Sequence, residues 1–152
     1  MYIKSRDVSD PSALIEKPFW VTIGGKIEEG EDITATAARE ALEETGHSNI
    51  IIGPPVWYGT VILNWKGRKT ELQETFVVAN TDEHEVYRDG LTAEEQEVVQ
   101  KYKWWSLAEL RTTHDVVIPQ GMADLLAEVV SGIYPDRPIN IDLSSPSSIA
   151  EK

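Results

Sequence analysis

GGKIEEGEDITATAAREALEETG, residues 24–46, decides how the rest of the chain is read. From Asp32 to Thr45 the alanines, Leu42 and the charged residues follow a helical pattern, and Gly46 stands where a left-handed C-terminal cap is wanted. Glu40, Glu43 and Glu44 fall within five positions of that helix. At 100° per residue they share an arc of about 100°, with Arg39 at its border, while Ala35, Ala38, Leu42 and Thr45 gather on the opposite side. The expectation is a small apolar face against a sheet and an acidic face aimed away from it. Like charges at i,i+3 and i,i+4 cost a helix about 0.2–0.5 kcal/mol per pair, so an acidic cluster asks for a reason.

The loop in front of the helix supplies one. Gly24, Gly25 and Gly30 permit backbone shapes and close approaches that side chains forbid, and they deliver the chain beside the carboxylates. Carboxylates and a bare carbonyl are hard oxygen ligands of the kind Mg²⁺ or Mn²⁺ takes, and Mg²⁺ also binds substrate phosphates. A cation there would offset the repulsion.

Working outward, PFWVTI (18–23) has the aromatic and β-branched content of a strand. NIIIG (49–53) and PPVWYGTVILNW (54–65) lead through a turn around Gly67 into TELQETFVVAN (70–80), a long hairpin. DGLTAEEQEVVQKY (89–102) reads as an acidic loop with a helical turn, KWWSL as a short strand, and LAELRT as another helical turn. Alternation along that strand sends one of Trp104 and Trp105 inward and the other away. Met122, Leu125, Leu126, Val129 and Val130 form the stripe of an amphipathic helix after Pro119. Residues 135–152 carry three prolines and several serines, the pattern of an extended arm that frays. The whole, 1–152, reads as a single domain of α/β (α+β) class with a mixed sheet.

Composition narrows the function. Twenty-six acids against 14 bases leave a net charge of −12, which argues against a nucleic-acid partner. No cysteine is present, which excludes a disulfide scaffold, a thiolate metal site and a thiol nucleophile. The apolar runs fall short of the roughly 20 residues of a membrane span and the N-terminal residues lack a signal-peptide core, so a cytoplasmic protein with no membrane partner is expected.

Gly25, five residues, Glu31, seven residues, Arg39-Glu40, two residues, Glu43-Glu44, one residue and Gly46 resemble the Nudix box of the Nudix hydrolases. Ala41 and His47 depart from that pattern, where larger aliphatic residues are usual, and Ile23 stands where many members have proline. His47 is expected on the surface near the helix end. PFWVTIGGKIEEGE, Val56-Trp57, KWWSLAEL and the region from Ile118 to Ile139 resemble a small bacterial-type subgroup, with a shortened N-terminus before Trp20.

The resemblance implies an α/β/α sandwich with a mixed sheet. It implies hydrolysis of the diphosphate linkage in a nucleoside diphosphate joined to X, giving a nucleoside monophosphate and phosphorylated X. X could make the substrate a nucleoside triphosphate, ADP-ribose, a sugar nucleotide or a dinucleotide. By the same resemblance Glu40 and Glu44 bind the Mg²⁺ (or Mn²⁺), Glu43 adds a ligand or polarises the attacking water, the carbonyl of Gly24 or Gly25 adds an oxygen, and Arg39 holds the glutamates. A glutamate outside the box is also expected to assist; Glu95 is chosen, with Glu94 and Glu97 as alternatives. Trp20, Trp57, Arg68 and Gln73 are the candidate substrate contacts, and a homodimer is expected to cover a sheet edge left by the short N-terminus. The alternative is a catalytically silent Nudix-like module that binds a nucleotide ligand. Neither fold nor box names X.

Overall fold

The computed structural model describes residues 2–6, 19–65 and 68–144. The expected turn around Gly67 and the end of the C-terminal arm beyond Ser144 lie outside the described residues.

The fold is mixed α and β, built on two three-stranded sheets. In the first, β1 (Tyr2–Arg6) lies between β2 (Phe19–Thr22) and β5 (Val99–Trp104), antiparallel to both. In the second, β3 (Ile50–Trp65) and β4 (Arg68–Thr81) form the long antiparallel hairpin, and β6 (Ile139–Asn140) runs parallel to β3 beside Trp57 and Tyr58. This makes the second sheet a mixed one. Its register shifts on both sides of Pro55, where proline lacks the N–H a regular ladder needs. Gly59 lets the C-terminal segment come close, because a Cβ there would stand 2.6 Å from Leu143 Cγ and 2.7 Å from the Ile141 carbonyl.

Four helices complete the described fold: α1 (Ile33–Thr45), α2 (Ala93–Val98), α3 (Leu107–Thr112) and α4 (Met122–Val130). Asp32 caps α1 by accepting from the Ala35 N–H, and Gly46 closes it at φ 75° with its N–H on the Leu42 carbonyl. Both α2 and α3 begin with capping boxes, Thr92 with Glu95 and Ser106 with Glu109.

Trp20, Val56, Trp57, Trp105, Leu110, Met122, Leu126, Ile141 and Leu143 form the core, so both sheets, α3 and α4 share one apolar interior. Trp20 and Trp105 meet edge to face at 5.0 Å, and Trp20 Nε1 donates to Asp115 Oδ2 at 2.9 Å. Trp105 is buried and Trp104 is 37% exposed, as strand alternation requires. Of the α4 stripe, Met122 and Leu126 are buried and Leu125 and Val129 pack beside them. Val130, the last helical residue, is 60% exposed and leaves the stripe.

Two expectations are corrected. The buried side of α1 takes in two of the three acids: Thr36, Glu40, Ala41, Glu44 and Thr45 are buried, whereas Leu42 and Glu43 are exposed. The glycine loop covers the carboxylate arc and supplies it with polar partners, so hydrogen bonding overrides side-chain polarity there. His47 is not a surface residue but 3% exposed, because the segment after β4 folds over the end of α1 and places the Glu85 carbonyl 2.7 Å from His47 Nε2.

Candidate active site

Arg39 organises the seam between the glycine loop and α1. Its Nε and Nη2 donate to the two oxygens of Glu31 at 2.7 and 2.9 Å, Nη1 donates to Glu40 at 2.8 Å and Glu43 at 3.1 Å, and Nη2 also reaches the Lys26 carbonyl at 2.9 Å. The planar guanidinium fork suits this: it holds one carboxylate with two parallel bonds and has N–H groups left for others. Glu31 further accepts from the Thr36 hydroxyl and the Glu28 N–H. These partners, Arg39 first, hold the Glu31 carboxyl down at about 2, against an ordinary 4.5.

The loop grips the helix from the other side. Gly24, at φ 147°, donates its N–H to Glu44 Oε2 at 2.7 Å. Gly25 lies so close to the Glu40 carboxylate that a Cβ would come within 2.1 Å of its Oε1. Only glycine fits without moving that carboxylate. Glu44 is 1% exposed and Glu40 8%, while the Glu43 side chain is 48% exposed. Burial pushes the Glu40 carboxyl above its ordinary value, Arg39 opposes this, and the charges of Glu44 and Glu43 add to the upward push.

The structure therefore brings Gly24, Gly25, Arg39, Glu40, Glu43 and Glu44 together. As they stand, no three His, Asp or Glu side chains among the described residues form a group that could hold a metal ion. Arg39 already draws Glu40 Oε1 and Glu43 Oε2 toward itself. The donor set is nonetheless all oxygen and rich in carboxylate, the chemistry that fits Mg²⁺ or Mn²⁺ rather than a softer ion.

Residues outside the box fall elsewhere. Glu95 Oε2 accepts from the Thr92 N–H at 2.9 Å and its hydroxyl at 2.8 Å, as the reciprocal member of the capping box whose N-cap is Thr92. Glu94 and Glu97 lie on the same helix. Trp20 and Trp57 stand in the core at 3% and 5% exposure. Arg68 and Gln73 are exposed on β4, Gln73 opposite Thr60 and Arg68 opposite Trp65.

Sequence reasoning gave Glu31 no role beyond its place in the spacing, although that place was the signal that it belongs to the site. The stretch from Glu83 to Gly90, which packs on the end of α1, was not singled out; its Asp89-Gly90 pair advertises only a turn.

None of the curated proteins matches the chain. The crystal structure of C. elegans Ap4A hydrolase is similar over 85% of this chain and 83% of that one, at a TM-score of 0.47 and 19% identity. A family model described as the NUDIX domain matches residues 11–126, a span that takes in β2, the glycine loop, α1, the hairpin and the start of α4; the chain belongs to that family and is a Nudix pyrophosphohydrolase.

Proposed function

We propose that the protein hydrolyses the diphosphate linkage of a nucleoside diphosphate joined to X in an Mg²⁺-dependent or Mn²⁺-dependent reaction, with Glu40, Glu43 and Glu44 as the carboxylates that hold the ion. The observation that carries this reading is the gathering of those three glutamates around Arg39 and against Gly24 and Gly25. When bound, the ion would neutralise diphosphate charge and lower the pKa of an attacking water.

The chain's own residues have separable tasks in this reading. Arg39 keeps Glu40 and Glu43 oriented and ties them to Glu31, so that the loop and the helix move as one. Glu44, locked by the Gly24 N–H, fixes the loop backbone from which the carbonyl of Gly24 or Gly25 would be offered. Glu43, the most open of the three glutamates, is the one with room to orient or deprotonate a water. Arg68 and Gln73 are carried as substrate contacts on β4, and Glu95 as an assisting carboxylate. The reading also includes a homodimer and a cytoplasmic setting, the first of which sedimentation velocity tests.

One experiment tests the metal-dependent part of this reading. Purified protein is given nucleoside triphosphates, ADP-ribose, sugar nucleotides and dinucleotides, with Mg²⁺, with Mn²⁺ or with EDTA, and monophosphate release is followed. Metal-dependent turnover of one class supports the reading and names X; turnover that EDTA leaves unchanged overturns the metal dependence.

A further inference from the structure

The stretch between β4 and α2 is fastened to the outgoing end of α1 at successive points. Glu83 takes the N–H groups of Ser48 and Asn49 on its two carboxylate oxygens, each at 3.2 Å. The Glu85 carbonyl meets His47 Nε2 at 2.7 Å, and the Tyr87 N–H donates to the Thr45 carbonyl at 2.8 Å, satisfying one of the carbonyls that a helix end leaves without an internal partner. The Tyr87 ring lies on Gly46, where a Cβ would stand 3.0 Å from Tyr87 Cβ.

The last point is the tightest. A Cβ on Gly90 would come within 2.3 Å of the Glu43 carbonyl oxygen and 2.9 Å of Glu43 C and Cα. The obstacle is backbone, and it cannot rotate away as a side chain would. The opposite side of the segment is anchored too, by Trp104 Nε1 on the His84 carbonyl at 2.8 Å and by Arg88 Nη2 on the Val99 carbonyl at 2.6 Å. Leu91, the next residue, is 5% exposed, so the segment has no slack with which to back away from α1.

We infer that Gly90 is a positioning residue for the carboxylate cluster: its missing side chain lets residues 83–90 seat directly on the backbone of Glu43, which sets where Glu43 and Glu44 stand relative to the glycine loop. The inference rests on the proposed role of those glutamates as metal ligands. Since β4 and α2 flank the segment, a shift of either element reaches the cluster through Gly90.

Gly90→Ala is the test, read on the folded protein without substrate. Mn²⁺ affinity is measured by water-proton relaxation, amide exchange is followed at Gly46 and Tyr87, and Asp89→Ala serves as the neighbouring surface control. Gly90→Ala overfills a packed contact and is expected to weaken Mn²⁺ by about tenfold and to speed both amides by a similar factor, with Asp89→Ala unchanged. A purely structural glycine would lower Tm and leave Mn²⁺ affinity alone at temperatures where the variant is folded.

Should Gly90→Ala fail to fold, Glu83→Ala, which removes two fastenings without overfilling anything, decides by the same readouts. Unchanged Mn²⁺ affinity in the folded variant, whatever the amide exchange, overturns the inference. Wild-type protein that binds no Mn²⁺ overturns it through the metal-site reading instead, and the amide exchange then still reports whether Gly90 seats the segment on α1.

Discussion

At the seam between the glycine loop and α1, Glu44 is buried as deeply as the tryptophans of the core, for the opposite reason. Glu44 is 1% exposed and Trp20 is 3% exposed. Trp20 is inside because it is large and mostly apolar, with its single polar atom answered by Asp115. Glu44 is inside because the Gly24 N–H meets it there, in a neighbourhood where Arg39 offsets the charges of Glu31, Glu40 and Glu43. Burial alone does not tell a structural interior from a reactive one; the partners of the buried atoms do.

If the comparison holds, a change at the seam costs activity with little stability, and a change in the core costs stability with little activity. The sharpest break would come at Glu44. Glu44→Gln keeps an acceptor for the Gly24 N–H but loses the charge, so turnover should fall by about 100-fold or more while Tm stays within a few degrees. Steady-state kinetics beside a thermal melt check it, and full activity in the variant would remove Glu44 from the site.

Leu126→Ala gives the converse result. Removing a buried leucine costs about 2–5 kcal/mol, which for a chain of this size lowers Tm by about 10 °C, and kcat measured well below the transition should change little. Gly25→Ala comes next. The new methyl must displace the end of the Glu40 side chain, a flexible group, so the expected cost is about tenfold in kcat with a small change in Tm. A Gly25→Ala protein with unaltered kcat would mean that the position of Glu40 is not critical.

The smallest effect is set by pH. Glu31 has a folded-state value of about 2 against 4.5, so the unfolded chain binds the proton more readily between these values. Its contribution to stability is complete above pH 4.5 and disappears as pH falls toward 2. The Glu28 amide, which donates to Glu31, should report this in an NMR titration with a midpoint near 2, and Arg39→Gln should return the midpoint toward 4.5. Core amides should not follow that curve. Glu40 acts with the opposite sign: its raised value favours the protonated folded form, so its ionisation costs stability as pH rises.

Much of this was legible in the chain itself. The hairpin, α1 with its Gly46 cap, the α4 stripe and the box constellation each rest on a pattern within one continuous stretch of chain, which strand and helix periodicity and glycine conformations make readable. The side of α1 that would be buried was not readable. The hydrophobic pattern pointed to Leu42, Ala35 and Ala38, while the structure buries Glu40 and Glu44, because a loop rich in backbone donors and one arginine can satisfy carboxylates that polarity alone would send to water. His47 was misread for a related cause, since its cover comes from Glu85, 38 residues onward.

By itself the sequence determined which groups the molecule has available: three glutamates at helical spacing, glycines in front of them, an arginine to bind them and tryptophans enough for a core. Tertiary structure alone decided which of those groups touch. Arg39 finds Glu31 across the loop, Gly25 admits Glu40, and Gly90 seats on Glu43 from far along the chain. Local spacing fixes directions within one helix or strand, but a contact between distant segments depends on how all the elements between them pack, and no window of sequence contains that sum.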